Sequence, residues 1–448
     1  MQNKKRFTYF LYLLFLFSLL FYACSSPGPG IFGKKTPHQE YEKKIKDAGL
    51  KETALGEAWL RAAVITLSNP LDIVLPYNET GYFADDRANG IGLRFRAKRG
   101  QKIKITLTKK PAVNFALYVD LWQPYPASEN TTPKFLSAAD TINLTLEHVV
   151  TEDSIFIARI QPELLKEGEY TLTITAGPSL AFPISPKVKS NIGSFFGVGR
   201  DNGARKHEGI DIFAAKLSPA IASANGIVTR VNENALGGKV IFMRPENAFY
   251  SLYYAHLDSQ IAVEGQRVKT GDVIGLVGNT GNAQFTVPHL HFGIYTNNGA
   301  VDPLYFVKND YKDPPKLSVS LSNLNTWMRS GKNVKLYLDQ SPGTSNFLSL
   351  DDNTLLRPEA GTGNWYRVIL PDGKKGFIAG ALITSVNKPI RRLSVKKALP
   401  LLSKPDISGL HKKMLVTGDK INILAAFNDF YFVSDKDNLE GWVAKNEL

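Results

Sequence analysis

The hydrophobic pattern changes its period along the chain. From His38 to about Ser68 the sequence is charged and then amphipathic, with Leu50, Leu55, Trp59, Ala62 and Ile65 near helical spacing. Asn69-Pro70 predicts the end of that helix, because the residue before a proline is pushed out of the helical region. From Leu71 to Pro183 the period is two. Leu93, Phe95 and Ala97 alternate with Arg94, Arg96 and Lys98; after a turn at Arg99-Gly100, Ile103, Ile105 and Leu107 alternate with Lys102 and Lys104. With GEYTLTI at 168–174, this predicts a half-exposed β-sandwich over 71–185. The stretch GDVIGLVGNTG at 271–281 reads as a strand, Val273–Val277, between turn glycines. Its glycines lack the spacing of a nucleotide-binding loop, and no lysine follows to reach a phosphate.

The polar, proline-containing NDYKDPPK at 309–316 marks a linker, and an internal repeat follows it. Trp365-Tyr366-Arg367-Val368 recurs as Phe430-Tyr431-Phe432-Val433, and Gly376-Phe377-Ile378-Ala379 as Gly441-Trp442-Val443-Ala444. Leu336-Tyr337 and Leu401-Leu402 keep the same register, so the repeat is about 65 residues long. The expected architecture is mostly β and multidomain. It comprises a leader over 1–24, a linker and helix over 25–70, the sandwich over 71–185, a β domain over 186–308, and two small β modules over 317–386 and 387–448. At 43% hydrophobic residues the chain can fill these cores, and its single cysteine excludes an intramolecular disulfide.

Chemistry concentrates in the fourth of these domains. Of seven histidines in 448 residues, His207, His256, His289 and His291 fall in the β-rich stretch 207–291, in the contexts HEGID, YAHL and HLH. An extended run from His207 to Asp211 would hold the two side chains about 13 Å apart, so the chain must bend to bring them to one metal ion. Gly209, in the middle, is expected to supply the backbone angles for that bend. His289 and His291, two apart in a strand, point to one side and leave Leu290 to the core. Two imidazoles and one carboxylate suit an open zinc site, and we assign His207, Asp211 and His291 as ligands. His256 and His289 remain as proton carriers or oxyanion stabilisers.

These residues resemble the lysostaphin-type zinc endopeptidases of bacterial cell walls. The H-x-x-x-D, Y-x-H-L and H-x-H elements of that family are met by His207 and Asp211, by Tyr254 with His256 and Leu257, and by His289 with His291. SFFG at 194–197, ANGIV at 224–228, GGKV at 237–240 and PHLHF at 288–292 agree as well. The likeness covers residues 186–306. It implies an antiparallel β peptidase domain similar to a duplicated hybrid motif. It further implies that His207, Asp211 and His291 bind zinc while His256 and His289 assist the attack of water on a peptide bond of peptidoglycan.

The remaining resemblances extend this reading. Lys4, Lys5 and Arg6 precede an apolar run from Tyr9 to Ala23, as in a secretory signal. Ala23-Cys24 is similar to the end of a bacterial lipoprotein signal, which implies lipidation of Cys24, export and a membrane anchor. Ser25 and Ser26 favour the outer membrane, facing the periplasm. The sandwich is weakly similar to the jelly-roll domains of secreted peptidases. Each C-terminal copy resembles a bacterial SH3-like barrel, in which Trp365, Tyr366, Phe430, Tyr431 and Trp442 are candidates to line peptide grooves.

The net charge of +13 fits an anionic partner. Export sets nucleic acid aside and leaves peptidoglycan, with its free carboxylates. The cationic row Arg94, Arg96, Lys98, Lys102 and Lys104 is read as a solvated face, and His38, His148 and His411 as inert. A rival expectation is a wall-bound regulator of another hydrolase, and a regulatory protein partner belongs with it.

Overall fold

The computed structural model describes residues 35–448 apart from 126–132, 201–202, 311 and 341–342. The expected signal, Cys24 and the SSPGPG spacer lie outside the described residues. Among the described residues, no helix is long and apolar enough to cross a membrane.

In place of one long helix there are two, Pro37–Asp47 and Ala54–Ser68. Gly49 separates them at φ 72°, a left-handed conformation that ends a helix. Thr36 and Thr53 then cap the starts, each side chain accepting from an N–H three residues on. The second helix buries Gly56, Trp59, Ala63 and Thr66, and leaves Leu55 and Ile65 exposed. The indole fixes that rotation, because Trp59 Nε1 donates to the Pro162 carbonyl at 2.8 Å. His38, read from the sequence as inert, is buried: its Nε2 lies 2.8 Å from Gln161 Oε1, and its ring stacks on Trp59.

The period-two region forms two sheets that share one apolar core, to which Leu93, Phe95, Ile103, Ile105, Leu121 and Leu172 contribute. The two alternating stretches belong to different sheets. Ile91–Ala97 pairs with Ser154–Pro162, whereas Gln101–Lys110 pairs with Gly168–Pro178. The expected cationic row is therefore split between two sheets. Four of its five members are also paired, Arg94 with Asp72, Lys98 with Asp153, and Lys102 and Lys104 with Glu147.

From Leu180 to Val307 the chain folds around a second core. Its antiparallel sheet runs Ser190–Ser194, Ile210–Ala214, His289–Thr296, Tyr250–Gln260, Gly238–Pro245, Gly226–Asn234 and Arg267–Val268. Val273–Val277 is a strand and pairs with Pro219–Ile221 and Tyr250–Gln260. The ends of this unit meet where the Leu180 N–H donates to the Phe306 carbonyl at 2.9 Å.

The C-terminal repeat folds in duplicate. Leu355–Thr362, Trp365–Ile369 and Lys375–Ala379 recur as Lys420–Phe427, Phe430–Ser434 and Glu440–Ala444. Trp365 faces Ala379 as Phe430 faces Ala444, and the bulge after Pro358 recurs after Ile423. The first copy is not a free module. Its strand Leu355–Thr362 pairs with Tyr77–Phe83, Thr80 opposite Gly361, so one sheet of the sandwich continues into it. Arg367 is buried at this seam between Glu79 and Glu359 and also donates to the Tyr170 hydroxyl at 2.8 Å. The second copy packs on the first through a common core that holds Tyr366, Phe430, Phe432 and Trp442. His411 begins the strand His411–Leu415.

Candidate metal centre and catalytic cleft

Strand pairing brings the site together. Ile210–Ala214 lies beside His289–Thr296 with Asp211 opposite His291 and Phe213 opposite His289. Alternation buries Leu290 in the core and turns both histidines to the other face. On the far side of the same strand Ala255 is opposite His291. His256 follows at φ 60°, a conformation uncommon for a residue with a Cβ, next to a bulge in the pairing with Gly238–Pro245. Ala255 and Leu257 are both buried in the sheet, and the kink between them carries the His256 ring to the cleft.

His207 Nε2, Asp211 Oδ1 and His291 Nδ1 converge. They are 2.9 Å (His207 to Asp211), 3.0 Å (His207 to His291) and 3.1 Å (His291 to Asp211) apart. His207 Nδ1 donates to the Phe195 carbonyl at 2.9 Å, so the Nε2 of a neutral ring brings a lone pair to this point. A lone pair and a carboxylate oxygen at that distance repel unless a cation lies among them. The edge of a tetrahedron with ligands about 2.0–2.1 Å from zinc is about 3.3 Å, so the donor set and its spacing fit that ion. Gly209 serves this geometry differently from the expectation. Its φ is not positive; rather, an added Cβ would lie 2.5 Å from the Phe292 carbonyl and 2.8 Å from the His291 ring.

His256 and His289 are fixed in the same manner as His207. His256 Nδ1 donates to the Thr280 carbonyl at 2.9 Å and His289 Nδ1 to the Val287 carbonyl at 2.8 Å, which leaves both Nε2 atoms for the cleft. Their rings are 5.0 Å apart, and His256 lies 5.8 Å from the ring of His291. Burial, and then the neighbouring rings of His289 and His291, lower the pKa of His256 to about 4. Burial would raise the Asp211 carboxyl, but the adjoining His207 and His291 rings outweigh it and hold the group well below the usual carboxylate range. Burial also lowers His291.

The five side chains line one cleft of about 310 Å³, together with Tyr253, Tyr295 and Arg200. Larger hollows, among them two of about 770 and 620 Å³ at the seam between the sandwich and the first C-terminal unit, hold none of the histidines. Sequence reasoning missed Arg200, whose Nη2 donates to Asp211 Oδ2 at 2.6 Å and to Ser194 Oγ at 2.8 Å. It also missed the three orienting carbonyls. Backbone acceptors have no residue-type signature, and nothing in the spacing of Arg200 singles it out. None of the aromatic candidates lines this cleft. Tyr366 is buried and donates to the Ser320 carbonyl, and Trp442 is buried between the two C-terminal copies. Neither presents a face to a ligand, because both fill the cores that hold the copies together. Trp365 and Tyr431 are half-buried; Trp365 packs edge-on against Tyr337, and Tyr431 lies under Arg391 and Lys445.

Residues 205–303 match Peptidase family M23. The L-Ala--D-Glu endopeptidase of Bacillus subtilis (strain 168) is 37% identical over 130 residues, which cover 27% of this chain and 40% of that protein. The DD-carboxypeptidase/endopeptidase Mpg of Neisseria meningitidis serogroup B (strain ATCC BAA-335 / MC58) is 37% identical over 126 residues, 28% of each chain. This chain therefore spans less than half the length of these curated relatives. The solved structure of LytU is 42% identical, covers 26% of this chain and 82% of its own, and superposes with a TM-score of 0.24. The chain carries a peptidase family M23 domain within a larger, mostly β structure.

Proposed function

We propose, from a family M23 domain set in a β scaffold, that this protein is a zinc-dependent endopeptidase hydrolysing peptide cross-links of peptidoglycan. The observation that carries the reading is the convergence of His207, Asp211 and His291 within a cleft that also receives Nε2 of His256 and His289. His207, Asp211 and His291 would hold the ion, which when bound supplies a Lewis acid and lowers the pKa of water in its coordination sphere. Water attacks the scissile carbonyl carbon. Nε2 of His256 or His289 takes its proton and delivers it to the amine as the C–N bond breaks, leaving a carboxylate and a free amine. The other imidazole, protonated at Nε2, donates to the oxyanion. The backbone carbonyls of Thr280 and Val287 hold both rings in the required orientation. The endopeptidase names of the relatives support this substrate class.

The same reading places the chain outside the cytoplasm, anchored through Cys24 in the outer membrane and facing the periplasm. The two C-terminal copies are taken as SH3-like, with Trp365 and Tyr431 the aromatics that retain exposure for wall peptides. The test is incubation of the purified protein with peptidoglycan sacculi, with and without a chelator. New amine termini that vanish with chelation are expected. Sedimentation with sacculi without new termini would overturn the hydrolase reading in favour of a wall-bound regulator.

A further inference from the structure

We infer that Arg200 is a positioning residue that holds the Asp211 carboxylate to a single metal-facing oxygen. The proposal rests on the reading of His207, Asp211 and His291 as the zinc site. Asp211 divides its two oxygens. Oδ1 is the atom within 2.9 Å of His207 and 3.1 Å of His291, and Oδ2 accepts from Arg200 Nη2 at 2.6 Å. The same Nη2 donates to Ser194 Oγ at 2.8 Å, so the guanidinium is itself held. Arg200 belongs to a short hairpin, Gly199–Arg200 against Arg205–Lys206, and through it the hairpin that walls the cleft is tied to the ligand.

The chemical consequence follows from counting ligand atoms. A carboxylate is able to give a metal one oxygen or both, and the second would occupy the position that substrate or water needs in an open site. A charge-assisted hydrogen bond to Oδ2 opposes that chelation and also fixes the direction from which Oδ1 approaches. Arg200 therefore acts through Asp211.

The test compares wild type with R200M, which removes the donors at similar length, and R200K, which keeps one charged donor. Zinc affinity is measured against a chromophoric chelator, and the visible spectrum of the cobalt(II)-loaded protein reports coordination number. The side chain of Arg200 is one-third exposed (34%), so the fold should tolerate the change; thermal unfolding of the metal-free proteins checks this. The expected result for R200M is a zinc affinity about tenfold to a hundredfold lower. Its cobalt absorption should be weaker, in the manner of a higher coordination number, with R200K between R200M and wild type. Unchanged affinity and spectrum in R200M, whatever its activity, would overturn the proposal. Wild type that takes up no zinc would instead overturn the metal site itself.

Discussion

Arg367 and Glu79, 288 positions apart, form a buried ion pair with Nε 3.0 Å from Oε2, and they join the sandwich to the first C-terminal unit. Glu79 also accepts from the hydroxyls of Tyr77 and Tyr170, so its charge is held by hydrogen bonds as well as by the guanidinium. Removing one partner leaves the other charged and desolvated. R367M is expected to destabilise the protein by roughly 3–5 kcal/mol, read from denaturant unfolding. The double substitution E79L/R367M should cost less than the sum of the singles.

The second carboxylate at this seam makes stability depend on acid. Burial alone would raise Glu359, but Lys375, Arg367 and Arg87 outweigh it and lower its pKa to about 2. The folded value lies below the ordinary 4.5, so the stabilisation is complete above the ordinary value and is lost as pH falls toward the folded one. Midpoints of thermal unfolding from about pH 5 to about pH 2 should fall in wild type, and less steeply in E359Q.

At the cleft, H256A and H289A should retain zinc, because neither ring is among the three converging ligand atoms. Turnover should drop by about 10²- to 10⁴-fold. Metal content and muropeptide release, measured on the same preparations, check both halves. A variant of His256 with full activity would remove it from the mechanism.

Gly209 offers a test of the ligand geometry that leaves every ligand in place. A methyl group there meets the Phe292 carbonyl and the His291 ring at distances that backbone and imidazole must yield to accommodate. G209A should lower zinc affinity and activity together while secondary structure, read by circular dichroism, is kept.

Much of the site was legible in the sequence because its residue types are scarce and its strand geometry is local. The H-x-H spacing puts His289 and His291 on one face with Leu290 behind, and the turn glycines bracket Val273–Val277 as the structure has them. The repeat was legible for a similar reason, since its copies keep one register down to the bulge after Pro358 and Ile423. What sequence could not give is contact between distant segments. The helix face was misread because Trp59 is held by Pro162 from another element. Alternation in 93–107 gave the strands but not that they separate into two sheets. Resemblance marks the C-terminal aromatics as candidates for grooves, but only tertiary contact shows that Tyr366 and Trp442 pack the copies together.

The continuous sheet has a consequence for the order in which the protein can assemble. Tyr77–Phe83 is made early, but its neighbour Leu355–Thr362 and the guanidinium that balances Glu79 come only after the whole peptidase unit has been synthesised. The sandwich thus waits, with one strand edge open and one acid uncompensated, until the last quarter of the polypeptide arrives. A chain cut short behind the histidines would carry the whole histidine cluster and still leave its first domain unfinished.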